Sequence, residues 1–314
     1  IQLGDWSSDV CSSDLIIIIG GGPAGLTAAI YASRARLSTL LIEKAGCGGQ
    51  MAITDNLENY PGFNGGVNGF ELSMKLEAQA KEFGAKIIFE EVIALETGGA
   101  IKHAVTDNNK YGAKSIIIAA GANAKKLGIP GEEKFIGNGI SFCATCDAPF
   151  FKEKDVLVVG GGDSALQEAL YLAKFAKNVT LIHRRNEFRA AKILQERLTA
   201  YPNISVLLSN IAEEIIGDMS VEAVRVKNLE TGQSRILKAQ GVFVFVGWVP
   251  NTGFISDIST DEFGYVLADE NMKTSADGVF ACGDIRKKSL KQVVTAAADG
   301  AQAAISAQHY LENL

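Results

Sequence analysis

Two stretches of this 314-residue chain repeat one pattern at one spacing. The apolar run Leu15–Ile19 leads into Gly-Gly-Gly-Pro-Ala-Gly (20–25), then a helical stretch to about Ala35. A second apolar run, Thr39–Ile42, ends at Glu43. Further on, Val156–Val159 leads into Gly-Gly-Gly-Asp-Ser-Ala (160–165), a helical stretch to about Ala176, and Val179–Ile182 ending at His183. From the first glycine to the closing residue is 23 positions in both copies. Strand, glycine turn and helix at this spacing open a dinucleotide-binding βαβ unit. Two such openings predict an α/β protein with two Rossmann-like (doubly wound, three-layer) nucleotide-binding domains, a duplicated domain rather than a short repeat.

The loops differ in the residues that choose a ligand. Gly20, Gly22 and Gly25 fill the three glycine positions of the first, with Pro23 and Ala24 between them. Their backbone can approach a pyrophosphate, and the helix N-terminus offers free N–H groups to the anion. Glu43, followed by Lys44, closes the second strand, where a carboxylate can accept hydrogen bonds from an adenosine ribose. That fits FAD or NAD and disfavours a 2′-phosphate. In the second copy Gly160 and Gly162 remain, Asp163 and Ser164 open the helix, and Ala165 takes the third position. His183, Arg184 and Arg185 replace the acid, with Arg189 one turn onward. Such cations pair with a ribose phosphate, so the second domain is expected to prefer NADPH over NADH. The competing reading of these arginines is a solvated basic helix start.

Ser141-Phe-Cys-Ala-Thr-Cys-Asp147 lies just ahead of the second loop. The Cys143/Cys146 spacing suits either a reversible disulfide or half of a zinc site. Zinc would need further ligands, but Cys47 and Cys282 are isolated and the three histidines are not spaced for a site, so no metal is expected. Asp147 suits proton transfer to or from a thiolate, or the cap of a helix. Asp5–Leu15 back-translates codon for codon into a common sequencing adapter. Residues 1–14 are therefore expected to be read-through, and Cys11 carries no weight. A formal charge of −6 argues against nucleic-acid binding. The longest apolar run, around Val242–Val249, is strand length, and no basic start precedes an apolar core. Neither a membrane span nor a secretory signal is expected, and the cytoplasm is the expected setting.

The order of motifs resembles that of the low-molecular-weight thioredoxin reductases over nearly the whole chain from Leu15. It runs from the first glycine loop through Gly-Gly-Gln (48–50), Glu-Asn-Tyr-Pro-Gly (58–62), Cys-Ala-Thr-Cys-Asp and the second loop to His-Arg-Arg and Gly-Asp (283–284). The resemblance implies an FAD domain of residues 15–122 and 249–314, with an NADPH domain, 123–248, inserted in it and carrying the redox disulfide. It implies that Gly48, Gly49, Gln50, Asn59 and Gly121 line the FAD. Gly283 and Asp284 would hold its ribityl–phosphate region, with Lys291, Gln292 and Val293 near the ring. Cys146 would face the flavin, Cys143 would attack the disulfide of thioredoxin or a thioredoxin-like protein, and Asp147 would be the acid. A homodimer is implied as well.

Four positions depart from the family pattern: Lys291 for arginine, Ala120 for threonine, Ala148 for glycine and Cys282 for alanine. None removes a chemical group from the electron path. Nicotinamide and disulfide would ride on one domain and serve one flavin, so that domain is expected to swing on its two chain crossings. Rival readings are a ferredoxin- or flavodoxin-NADP reductase, which needs no cysteines, a flavin dithiol oxidase, which needs no arginine cluster, and a non-enzymatic flavoprotein sensor.

Overall fold

The computed structural model describes residues 15–54, 57 and 59–314, and only the backbone of Leu15, Thr145 and Cys146. The adapter-like segment with Cys11, and Glu58 of the Glu-Asn-Tyr-Pro-Gly motif, lie outside the described residues. The chain divides into two compact units. One holds the described residues up to Asn123 together with Val249–Leu314, and the other is Ala124–Trp248.

The first unit begins with β1 (Leu15–Ile19), α1 (Pro23–Arg34), β2 (Ser38–Glu43), α2 (Gly69–Glu82) and β3 (Lys86–Phe89). An antiparallel meander follows, β4 (Val92–Glu96), β5 (Lys102–Thr106) and β6 (Lys110–Ala113), before β7 (Ser115–Ile118) rejoins the first sheet. The chain leaves along β8 (Ala122–Ala124). The second unit runs α3 (Glu132–Phe135), β9 (Ile140–Ser141), α4 (Ala144–Asp147), β10 (Asp155–Gly160), α5 (Asp163–Leu172), β11 (Asn178–Ile182), α6 (Lys192–Leu198) and β12 (Ile204–Leu207). An antiparallel group, β13 (Asn210–Gly217), β14 (Val221–Asn228) and β15 (Ser234–Lys238), precedes β16 (Gly241–Phe245). The chain returns along β17 (Trp248–Pro250) and closes with β18 (Val279–Ala281) and α7 (Val293–Glu312).

Each unit is built on a parallel sheet, ordered β18-β7-β1-β2-β3 in the first and β12-β11-β10-β16-β9 in the second. The equal spacing of the two glycine motifs is equal register: Leu15 pairs with Ser38 and Asp155 with Asn178, an offset of 23 in both (38 − 15 and 178 − 155). Ile16–Ile19 and Val156–Val159 are buried along their length, as strands covered on both faces must be, which explains their unbroken apolar runs. Small residues let α1 and α7 pack closely. A Cβ on Gly300 would lie 2.1 Å from the Ala24 carbonyl oxygen.

Several boundaries differ from the sequence expectation. α5 stops at Leu172 rather than near Ala176, because tight turns through Phe175 swing the chain into β11. The alanine-rich stretch from about Lys291 to Leu311 reads as one long helix, but α7 begins at Val293. Gln292 and Thr295 form a reciprocal capping box that sets its start. The apolar stretch Lys114–Gly121 reads as one strand, but β7 stops at Ile118, three residues short of Gly121.

Candidate functional site

In the first sheet β1 sits between β7 and β2, so the order in which strands are added reverses beside it and a crevice opens past its C-terminal end. The first glycine loop fills that position. Gly20 has φ +103°, and a Cβ there would lie 2.5 Å from the Ala119 oxygen; on Gly25 it would lie 1.8 Å from the Gly20 oxygen. Both glycines are dictated by the turn itself. Gly22 is different: a Cβ on it would meet nothing within 4 Å, and as N-cap of α1 it is left without a side-chain cap. Pro23 occupies the first helical turn, where its missing N–H costs no bond. Glu43 reaches back across the loop and accepts from Gly21 N at 2.7 Å and Ala45 N at 3.2 Å. A carboxylate has about four acceptor positions, which leaves capacity for ribose hydroxyls.

Other predicted residues gather round this loop. Gly48 N donates to Gly21 O at 2.7 Å, and a Cβ on Gly49 would stand 3.4 Å from Gly22 Cα. Gly49 and Gln50 begin a 3-10 turn that ends at Met51. Asn59 Nδ2 donates to Gln292 Oε1 at 2.8 Å, joining segments 233 residues apart. Val293 packs on the small cluster of Met51, Leu57, Val67 and Leu72. Gly283 lies against Ala24 of α1, and Asp284 Oδ1 is buried without a hydrogen-bond partner. Burial pushes the Asp284 carboxyl up, against the pull of Lys288 and Lys291. Burial also lowers Lys291, whose ammonium lies 3.3 Å from the Tyr265 ring centre. Lys44 is exposed, and Gly121, at φ +66°, accepts from Asn251 N at the chain crossing. Neither touches the loop through a hydrogen bond among the described residues. An uncapped helix N-terminus, an open Gly22 and a buried carboxyl oxygen that makes no hydrogen bond, 3.6 Å from the Lys288 ammonium, fit a bound dinucleotide.

The second loop repeats this geometry with other side chains. A Cβ on Gly160 would lie 2.5 Å from the Phe245 oxygen and 2.6 Å from Ala165 Cβ, while Gly162 faces open space and caps α5 without a side-chain bond. His183 takes the place of Glu43, its ring packed so tightly on Gly161 that a Cβ there would lie 2.1 Å from Nδ1. The ring stacks on Phe188, and its Nε2 is buried without a partner. Burial lowers the His183 pKa; a hydrogen bond donated by the ring to the Glu187 backbone opposes this, and Arg189, Arg185 and Arg184 reinforce the lowering. The residues between β11 and α6 form an irregular loop, not the basic helix start considered above. Arg189 N donates to Gly161 O at 2.9 Å, drawing that loop over the glycines. Arg184, Arg185 and Arg189 are exposed and form no ion pair among the described residues. Asp163 Oδ1 accepts from Ala191 N at 2.7 Å, and Ser164 is exposed beside it. A polar cleft of about 290 Å³ near Asp155, Asn178 and Lys238 opens at the opposite, N-terminal end of these strands.

Cys143 is half-buried and disulfide-bonded. Its segment is pinned locally, with Cys143 N donating to Ser141 Oγ at 3.0 Å. Cys146 lies in α4, and its side chain lies outside the described residues. Asp147 precedes the 3-10 turn Ala148–Phe151 without capping it, so the helix-cap reading finds no bond. The two remaining described thiols are free. Burial, then Glu77 and Glu43, pushes Cys47 up to about 12, and burial raises Cys282 further. Both are poor nucleophiles.

Comparison with known proteins follows the same line. The family model for pyridine nucleotide-disulphide oxidoreductases matches residues 14–300. The chain belongs to the pyridine nucleotide-disulphide oxidoreductase family. The thioredoxin reductase of Treponema pallidum is 46% identical over 299 residues, covering 95% of this chain and 97% of that protein. That of Bacillus subtilis is 46% identical over 301 residues, covering 95% of each. The crystal structure of the Lactococcus lactis thioredoxin reductase superposes with a TM-score of 0.83 at 43% identity, covering 95% of this chain and 99% of that one.

Sequence reasoning missed part of the scaffold under the oxidoreductase's first loop. Asp299, buried in α7, accepts from Gly283 N at 3.1 Å, from Arg286 Nε and Nη2 at 2.9 and 3.0 Å, and from Lys288 Nζ at 3.0 Å. Burial opposes its charge, but those bonds outweigh it and hold the carboxyl below the usual range. The available signal was an aspartate inside an alanine-rich helix, a costly place for a carboxylate without buried partners.

Proposed function

We propose that this chain is a thioredoxin-disulfide reductase, an FAD enzyme that passes the reducing equivalents of NADPH to the disulfide of thioredoxin or a thioredoxin-like protein. The observation that carries the reading is the disulfide-bonded Cys143 in the unit that holds the arginine-flanked glycine loop, β10 following the cysteine motif directly. The thioredoxin reductases named above align with this chain over almost their full length, which supports the reading. FAD, when bound, supplies two-electron transfer between a nicotinamide and a disulfide.

The chain's own residues do the rest. Gly20, Gly22, Gly25, Pro23 and Ala24 cradle the flavin nucleotide's pyrophosphate, and Glu43 takes its ribose. Gly48, Gly49, Gln50, Asn59, Gly283, Asp284, Lys291, Gln292 and Val293 surround the remainder. Gly160, Gly162, Asp163, Ser164 and Ala165 shape the NADPH cradle, and Arg184, Arg185 and Arg189 beside His183 hold the 2′-phosphate. Once reduced, Cys143 Sγ attacks one sulfur of the partner's disulfide, and the released partner thiolate takes up a proton. Cys146 then attacks Cys143 Sγ, which re-forms the Cys143–Cys146 bond and frees the second partner thiol. Asp147 donates and recovers the proton.

A homodimer is part of the proposal. Phe70 and Met74, one turn apart on α2, are 58% and 50% exposed, an apolar face suited to a second copy. No helix among the described residues is long and apolar enough to cross a membrane. The deciding experiment is anaerobic titration of the purified protein with NADPH, followed by oxidised thioredoxin. Flavin bleaching on NADPH and recovery on thioredoxin are expected. Bleaching without recovery refutes the choice of acceptor, and no bleaching refutes the enzyme.

A further inference from the structure

α5 touches both ends of the proposed chemistry in its unit. It starts at Asp163, directly after Gly162, and five residues on Glu168 accepts the amide N–H of Ala144 at 3.0 Å. Ala144 is fully buried and follows Cys143 in the chain. Cys143 Sγ is four covalent bonds from that nitrogen, which places the carboxylate within about 8 Å of the sulfur. Glu168 also breaks the buried stripe of Ala165, Leu166, Ala169 and Leu172. A carboxylate on such a face is costly and needs a specific partner.

α6, which packs on α5, holds Lys192, Glu196 and Arg197 exposed at its surface, while the elements beside Cys143 itself are acidic or uncharged. α4 contributes Asp147. On α5, Asp163 is turned to Ala191 N, and Tyr171 lies against Phe175. The 3-10 turn Ala148–Phe151 and β9 carry no titratable side chain, and none of the elements beside Cys143 carries a cation. A thiolate is stabilised by nearby positive charge and by N–H donors. Here the amide of Cys143 is taken by Ser141 Oγ, and that of Ala144 by a negative group.

We propose that Glu168 is a positioning residue that keeps the Cys143 thiol protonated and so holds the Cys143–Cys146 couple on the reducing side. The inference rests on the reading of Cys143 as half of the redox pair. A couple whose dithiol form is strongly stabilised becomes an oxidant. Denying the thiolate that stabilisation leaves the dithiol free to give its two electrons and two protons to the partner's disulfide, whose S–S bond breaks as the Cys143–Cys146 bond forms.

The test uses holoenzyme reduced anaerobically with NADPH and alkylated with iodoacetamide across a pH series, with Cys143 modification followed by peptide mass. Glu168→Gln keeps an acceptor for Ala144 N–H and removes the charge. Its alkylation midpoint is expected to fall, with Cys143 reacting ~3- to 10-fold faster near neutral pH. Equilibration with glutathione buffers at mildly alkaline pH should shift about tenfold toward dithiol, or ~30 mV. Glu168→Asp keeps the charge and should stay near wild type. Gln167→Lys, at an exposed neighbour, should move the midpoint the same way by less, and reads the electrostatics even if Glu168→Gln does not fold. An unchanged midpoint and equilibrium in Glu168→Gln, or no shift in Gln167→Lys if the former fails to fold, overturns the proposal. Failure of Cys143 to become alkylatable in reduced wild type removes it from the redox pair, and the inference falls with that reading.

Discussion

The arginine cluster of the second loop permits an unusually clean perturbation. Arg184 and Arg185 are exposed and form no ion pair among the described residues, so Arg184→Ala with Arg185→Ala breaks no side-chain ion pair there. The melting temperature should hold, and any kinetic effect belongs to the ligand. Charge-assisted hydrogen bonds contribute ~1.5–3 kcal/mol each, and solvent screening of exposed groups favours the low end. Two lost contacts then cost about 2–4 kcal/mol, less than strictly additive. At 1.4 kcal/mol per decade that is a fall of ~30- to 700-fold in kcat/KM for NADPH, carried by KM. NADH lacks the phosphate and should be nearly unaffected. Steady-state rates with both nucleotides, at low and high salt, check this. Wild-type NADPH affinity should weaken with salt, and the variant's much less. An unchanged NADPH-to-NADH ratio would refute the assignment of these arginines to the 2′-phosphate.

Three further outcomes are expected. Cys143→Ser should leave NADPH reduction of the flavin intact in stopped-flow absorbance, while thioredoxin turnover falls to background, because a hydroxyl cannot form the mixed disulfide. Asp299→Asn leaves the largely buried Arg286 without its carboxylate and Lys288 with Asp284 at 3.6 Å, and should destabilise the first unit by ~3–5 kcal/mol, read as a lower denaturant midpoint with loss of bound flavin. The His183 pKa lies below the ordinary 6.5 in the folded chain, so the unfolded chain binds the extra proton. Its contribution to stability is complete above about pH 6.5 and shrinks as pH falls below it. Thermal melts of wild type against His183→Gln should diverge in slope across that window.

The two-unit architecture was legible because it rests on local pattern. Register in a parallel strand pair follows from the length of chain between the strands, so equal spacing in the two motifs meant equal geometry. The unbroken apolar runs likewise announced strands buried on both faces. What escaped the sequence came from long-range return of the chain. No spacing rule links Asn59 to Gln292 or Gly283 to Asp299, since those contacts exist only once α7 lies on α1. Helix ends were misplaced where a local device outweighed propensity, as with the Gln292–Thr295 box at α7. The irregular path of Arg184–Arg189 is of the same kind. Arg189 N is drawn to Gly161 O, and a helix started earlier would forfeit that bond.

The loop glycines separate what the fold requires from what a ligand requires. Gly20, Gly25 and Gly160 would each drive a Cβ into neighbouring protein atoms, and Gly161 would drive one into the His183 ring. These four would be glycine in any protein with this turn and this closing residue. Gly22 and Gly162 have open space around them, and neither has a positive φ. Internal packing and backbone strain therefore leave both positions unexplained, although each is the uncapped first residue of its helix. A side chain there would stand where a phosphate must approach the free N–H groups. On the proposed function, the duplicated unit would keep one backbone device for pyrophosphate and change nucleotide through the residue at the end of the second strand. Glu43 locks onto Gly21 N in one copy. His183 fills the space over Gly161 in the other and leaves the neighbouring position to three guanidiniums that form no ion pair among the described residues.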